Sequence, residues 1–231
     1  MLPFTREQFV AVFANYNSGV WPAQVLAYML GLGMVILLFR RSRIGDRIIG
    51  GGLALMWVWT GIAYHWFYFS SINRAGFVFG ALFVLQGVIL LHGAVLRDHL
   101  KFGPAAGPTA WLGWALVVYA AVLYPLVGSR VGHRYPEMPM FGITPCPVTV
   151  FTFGLLLLTT GPVSRWIVVI PFVWSLIGGS AALLLNVPQD LLLLVSGFIA
   201  IPLIVLRDRG SLHGVAGQQS HSTQVLRAPV D

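Results

Sequence analysis

The chain has 231 residues, of which 57% are apolar or aromatic and only 9% are charged, and its mean hydropathy is +0.81. A soluble domain carries charge on about a quarter of its residues, so this composition excludes a soluble globular enzyme. The apolar fraction also excludes a disordered chain, and the single cysteine, Cys146, excludes a disulfide scaffold. The composition therefore predicts an integral membrane protein with several spans.

The charge balance agrees with this class. Fourteen Lys and Arg against seven Asp and Glu give a formal net charge of +7. The basic residues stand at the ends of apolar runs, as in the cytoplasmic loops of membrane proteins, and they do not cluster as on a nucleic-acid-binding face. We therefore expect the lipid bilayer, and not a nucleic acid, to surround or contact the chain.

Seven stretches approach the roughly 20 apolar residues that a helix needs to cross a hydrocarbon core of about 30 Å. They cover residues 21–39, 48–69, 75–96, 108–127, 141–161, 165–185 and 189–206. Ahead of them, Thr5 and Gln8 form the capping-box pattern T-x-x-Q, which predicts a short amphipathic helix within residues 1–20 that lies on the outer interface. The polar, aperiodic residues 207–231 are predicted to form a cytoplasmic tail.

The distribution of basic residues predicts the orientation. With the N-terminus outside, the cytoplasmic connections hold nine basic residues: Arg40, Arg41, Arg43, Arg47, Arg97, Lys101, Arg165, Arg207 and Arg209. The external segments hold four: Arg6, Arg74, Arg130 and Arg134. The excess on one side favours an N-out, C-in arrangement, which requires an odd number of spans. The predicted fold is thus an all-α bundle of seven transmembrane helices over residues 21–206.

The connection that enters the fifth predicted span is the most distinctive segment. Between residues 132 and 147 it reads GHRYPEMPMFGITPCP, in which four prolines oppose a regular helix. His133, Met138, Met140 and Cys146 are the side chains in it that could bind a soft metal ion. The delayed start of the following helix, with Thr149 in its first turn, is also typical of substrate sites in transporters.

Polar side chains inside a membrane are costly and are therefore candidates for function. The predicted orientation brings several of them toward the outer face, in reach of one externally open pocket. The candidate substrate-binding residues are Trp59, Tyr64, His65, Asn73, Glu137, Cys146 and Thr149, and the predicted aromatic walls are Trp57, Trp59, Tyr64 and Trp66. The alternative metal site would use Cys146, Met138, Met140 and His133.

Four segments carry a resemblance to a known family: LPFTREQF at residues 2–9, YNSGVWPA at 16–23, WTGIAYH at 59–65 and FGITPCP at 141–147. Over residues 3–206 the sequence resembles an uncharacterised family of bacterial polytopic membrane proteins, a domain of unknown function whose members are often labelled permeases. The resemblance implies the bacterial cytoplasmic (inner) membrane and carries no established activity.

The sequence leaves three functions open. The leading hypothesis is a permease or channel-like carrier for a small solute, with its site around Cys146. The second is a soft-metal-binding membrane protein or metalloenzyme, and the only cofactor it implies is that metal ion. The third is a non-transporting assembly or sensor subunit, with faces of small residues that serve a partner. A homo-oligomer is a separate expectation for the assembly state. No catalytic set is evident, so an enzyme is the less favoured class.

Overall fold

The computed structural model describes residues 3–185 and 187–225, and the side chains among them as far as Arg209. Within those residues the chain is helical and forms no strand, apart from an isolated bridge between Phe102 and Thr159. The helices are α1 (Arg6–Gly19), α2 (Ala23–Leu38), α3 (Arg43–Trp59), α4 (Ala75–Leu90), α5 (Pro108–Val118), α6 (Tyr124–Arg130), α7 (Pro145–Leu157), α8 (Arg165–Leu185) and α9 (Leu191–Val225). The prediction of an all-α protein is confirmed.

Three π-helical segments extend or join these helices. Thr60–Trp66 continues α3, Leu91–Leu96 continues α4, and Tyr119–Leu123 joins α5 to α6. A π-helical turn inserts one extra residue into the helix and is frequent at functional sites, because it redirects the side chains of that turn. The first segment carries Tyr64 and His65, two of the candidate site residues.

Among the described residues, five helical segments are long and apolar enough to cross a membrane: Arg43–Ser71, Ala75–Leu96, Pro108–Arg130, Arg165–Leu185 and Pro188–Arg209. α1 and α2 meet at an angle of 83° and add a sixth if they are counted as one span. The predicted capping box is confirmed, since Thr5 accepts from the Gln8 amide and Gln8 accepts from the Thr5 amide. The predicted count of seven spans is not confirmed by helix length.

The predicted and observed numbers of spans differ at α7, because the hydropathy pattern predicted a span over residues 141–161. The helix has only 13 residues, which at 1.5 Å per residue is roughly 20 Å of length. Every one of them is buried, because α3, α5, α8 and α9 pack around it. A Cβ atom added at Gly154 would lie 2.9 Å from the Gly113 carbonyl oxygen, so glycine is needed where α7 meets α5.

One end of the bundle, here called the Asp98 end, is held by charged side chains. Asp98 accepts hydrogen bonds from Arg43 and from Arg47, at 2.6 Å from the Nε of each. The Arg207 guanidinium donates to the Leu156 and Leu157 carbonyl oxygens at the C-terminus of α7. Cationic donors at a helix C-terminus satisfy carbonyl groups that have no partner within the helix.

The opposite end, here called the Asp190 end, is held by α1 and by the loop before α7. The Tyr16 hydroxyl donates to the Ile143 carbonyl oxygen at 2.7 Å, and Asn17 donates to the Met138 carbonyl oxygen at 2.7 Å. Tyr16 and Asn17 are fully buried. α1 is therefore packed into the fold through one face, and it covers the end of the bundle where α7 begins.

Candidate functional site

A cavity of about 160 Å³ lies at the Asp190 end, between α1, the π-helical turn of α3, the start of α7 and the second half of α8. Its polar lining residues are Tyr64, His65, Asn73, Cys146, Ser180 and Asp190, and its aromatic ones, beside Tyr64, are Phe4, Phe9, Phe13, Phe69, Phe79 and Trp174. The cavity thus combines a mostly aromatic wall with a few polar groups, which is the usual composition of a small-molecule site.

His65 has no exposed surface and contacts the rings of Phe83 and Trp174, with centroid distances of 4.7 and 5.1 Å. Neither of its ring nitrogens has a hydrogen-bond partner within the described part of the chain. Buried polar groups are nearly always hydrogen-bonded, so an imidazole with two open nitrogens beside a cavity is unusual. Its position follows from the π-helical segment Thr60–Trp66, which carries it.

Trp174 on α8 completes this part of the cavity. Its side chain is 8% exposed, and among the described residues its indole Nε1–H has no nitrogen or oxygen acceptor and interacts with the thiol of Cys146. The Trp174 ring meets Phe83 edge to face, with a centroid distance of 4.9 Å. An imidazole without a partner and an indole N–H that meets only a weakly accepting thiol therefore lie side by side on one wall.

Asp190 carries the acidic group of the cavity. Its side chain is buried, its carboxylate accepts a hydrogen bond from the Tyr124 hydroxyl, and it interacts with the thiol of Cys146. The backbone reaches this position through the short 3-10 helix Pro188–Asp190 that precedes α9. Asp190 is not among the site residues predicted from the sequence, and the structure buries its carboxylate among side chains.

The structure brings together four of the seven predicted substrate-binding residues, since Tyr64, His65, Asn73 and Cys146 all line the cavity. The other three lie elsewhere. Trp59 lines a separate cavity and donates from Nε1 to the Tyr16 hydroxyl at 2.9 Å. The buried Thr149 hydroxyl donates to the Pro145 carbonyl oxygen, and Glu137 is exposed.

Most of the aromatic residues predicted to line the pocket do not line the observed cavity. Among the four, only Tyr64 lines the cavity, where its ring stacks on Phe13 with a centroid distance of 5.3 Å. Trp57 donates to the Thr152 hydroxyl inside the core, and Trp66 donates to the Phe77 carbonyl oxygen. The other six aromatic lining residues were not predicted as part of a site: Phe4, Phe9, Phe13, Phe69, Phe79 and Trp174.

The predicted metal ligands are dispersed. Cys146 lines the cavity described above, whereas Met138 and Met140 line a different one. Both ring nitrogens of His133 are engaged, Nε2 with Arg6 at 2.9 Å and Nδ1 with the side chain of Gln189 at 3.0 Å. The described residues include no group of three or more His, Cys, Asp or Glu side chains arranged to hold a metal ion.

The long apolar helices indicate a helical multi-pass membrane protein, and a cavity with few polar lining residues lies between them. The chain belongs to a family of unknown function, DUF6064, whose family model matches residues 6–213. The resemblance to an uncharacterised family is thereby confirmed. No curated protein and no solved structure matches the chain.

Proposed function

We propose that this membrane protein is a carrier for a small, weakly polar solute, which binds in the cavity between His65 and Asp190. The observation that supports the proposal is the pair of polar side chains on the cavity wall, His65 without any partner in the described part of the chain and Trp174 with only the weakly accepting Cys146 thiol. A buried polar group without a partner costs about 1–3 kcal/mol. A solute that forms hydrogen bonds with both side chains recovers this cost.

The size and lining of the cavity limit the solute. A cavity of about 160 Å³ is comparable to the apolar cavities of about 150 Å³ that bind benzene. The Trp174 N–H suits an acceptor on the solute, and the acceptor nitrogen of a neutral His65 imidazole suits a donor, whereas the Asp190 carboxylate already accepts from Tyr124. The solute class is therefore a compact molecule the size of a single ring, with one donor and one acceptor on an otherwise apolar body.

Seven crossings remain our proposal for the topology, with α7 as a short central crossing. Its first turn follows the segment that Tyr16 holds at the Asp190 end, and its last turn is held by Arg207 at the Asp98 end. The extended residues before Pro145 provide the length that the helix itself lacks. A helix surrounded by other helices need not match the thickness of the bilayer, because no lipid contacts it.

We further propose that the Asp98 end faces the cytoplasm and that the chain resides in a bacterial inner membrane. Nine basic residues belong to the segments at the Asp98 end and four to those at the Asp190 end, which favours this orientation. α1 would then lie across the outer surface, in keeping with its angle of 83° to α2. The solute would enter from outside.

A carrier fits the geometry better than an open channel. Beyond His65, the rings of Phe83 and Trp57 are in contact, with a centroid distance of 4.4 Å, and neither side chain is exposed. The Trp57 Nε1–H is bound to the Thr152 hydroxyl of α7 at 2.9 Å. Passage toward the Asp98 end requires these side chains to separate, so transport would depend on a conformational change.

Ligand-induced stabilisation tests binding directly. The protein in mild detergent is heated with phenol, benzamide, benzylamine or acetamide, and the unfolding midpoint is recorded. A ligand at a hundred times its Kd adds about 2.7 kcal/mol to the stability of the native state. We expect at least one probe to stabilise the wild type, and to stabilise Trp174→Phe less.

Trp111→Phe is the matched control, because Trp111 is 75% exposed on the surface of the bundle and does not line the cavity. It should respond to the probe as the wild type does. The stabilising probe, in radiolabelled form, should then enter proteoliposomes faster with wild-type protein than with Trp174→Phe. Equal responses of both tryptophan variants, or uptake no faster than into protein-free liposomes, would contradict the proposal.

A further inference from the structure

A second polar cavity, of about 460 Å³, lies at the Asp98 end between the end of α4 and the start of α8. Its polar lining residues are His92, Arg97, His99, Ser164 and Trp166, and we call it the Arg97 groove. It forms because α4 ends in the π-helical segment Leu91–Leu96, after which the His99 amide bonds back to the Gly93 carbonyl oxygen at 2.9 Å. It contains none of the residues of the candidate solute site.

The Arg97 groove is electropositive. The Arg97 guanidinium is exposed and has no hydrogen bond or ion pair with any described residue. The two neighbouring carboxylates are already engaged: Asp98 binds two arginines, and Asp208 binds Arg207 and the Val163 amide. α8 begins at Arg165, so the positive end of its dipole also lies at the groove.

We propose that the Arg97 groove binds the phosphate of an anionic phospholipid headgroup. Arg97 supplies the charge, while the imidazoles of His92 and His99 and the Ser164 hydroxyl supply hydrogen-bond donors. Basic pockets between transmembrane helices at a membrane surface are suited to such headgroups. The proposal does not depend on solute transport.

The apolar surroundings favour a lipid over free phosphate as the occupant. The groove continues onto Val88, and the Trp166 side chain at its rim is 63% exposed. Leu96, which precedes Arg97 in the chain, is 68% exposed. Tryptophan is typical of the headgroup level of a bilayer, and exposed aliphatic side chains next to a phosphate site offer a surface for the acyl chains.

Native mass spectrometry of the detergent-solubilised protein with added phosphatidylglycerol or phosphatidylcholine tests this inference. We expect the wild type to retain phosphatidylglycerol preferentially and Arg97→Gln to bind it about fivefold more weakly, the effect of one lost cation at a membrane surface. Arg97→Lys should retain the preference. Arg134→Gln, which removes an exposed arginine at the opposite end, is the matched control and should bind as the wild type does.

Two outcomes would overturn the proposal. The first is equal phosphatidylglycerol binding by the wild type and Arg97→Gln, which would place the lipid elsewhere on the surface. The second is displacement of the lipid by inorganic phosphate at the same concentration, which would identify a free-phosphate site. A double variant, His92→Gln with His99→Gln, should weaken phosphatidylglycerol binding independently of Arg97, and unchanged binding would remove both imidazoles from the site.

Discussion

Replacing His65 by Phe should stabilise the solute-free protein while it abolishes solute binding. Both ring nitrogens of His65 are fully buried without a partner among the described residues. An unsatisfied buried group costs about 1–3 kcal/mol. Phe has a similar shape and no polar atom, and the adjoining cavity accommodates its slightly larger ring. We therefore expect a gain of about 1–3 kcal/mol in the free energy of unfolding.

The gain is measurable as a shift in the thermal midpoint. In chains of 150–250 residues each kcal/mol moves the midpoint by about 2–4 °C, so His65→Phe should unfold about 2–12 °C above the wild type. The assay is intrinsic tryptophan fluorescence during heating in mild detergent, without solute. His65→Asn keeps a polar group in the site and should show no such rise. A midpoint for His65→Phe below that of the wild type would refute the reasoning, because it would mean that the imidazole makes a stabilising hydrogen bond.

Two further predictions concern the scaffold. Gly154→Ala places a methyl group against the backbone of α5 and should cost about 1–3 kcal/mol of stability in the same thermal assay, whereas Gly33→Ala, with open space around it, should not lower the midpoint. Hydrogen bonds from Arg47 and Arg43 hold the pKa of the Asp98 carboxyl well below its usual range. Because the pKa is lowered in the folded state, the stability that Asp98 contributes is complete above the unfolded-state pKa of about 4 and is lost as the pH falls below it. Asp98→Asn should therefore have a lower thermal unfolding midpoint than the wild type at neutral pH. A difference in midpoint that did not shrink in acid would contradict this assignment.

The sequence predicted the helical class and the first helix start because both depend on local patterns. The apolar runs are long enough to be recognised by composition alone, and the capping box at Thr5 needs only a residue pair three positions apart. α7 was predicted as an ordinary span because hydropathy does not distinguish contact with lipid from contact with other helices. Its 13 buried residues are as apolar as those of a lipid-facing helix.

Local sequence patterns also predicted only part of the candidate site. His65 and Cys146 were recognised because a polar or reactive side chain within an apolar segment is rare. Asp190 was not, since it stands at the boundary of a span, where an acidic residue has an ordinary explanation in the helix dipole. Its burial depends on contacts with Tyr124 and Cys146, which are distant in sequence. An acidic residue flanked by Pro188 and a long apolar run was the available signal.

Labelling of Cys146, the single cysteine of the chain, tests most directly whether the cavity is a site that a solute can reach. The Cys146 side chain is 6% exposed and lines the cavity. Methyl methanethiosulfonate, a small thiol reagent, is added to the folded protein in detergent, and Cys146→Ser controls for background. We predict that the wild type is labelled, that His65→Trp, which fills the cavity, is labelled more slowly, and that a probe that raises the unfolding midpoint also slows labelling. Labelling only after denaturation, or at one rate in all three conditions, would contradict the proposed solute site.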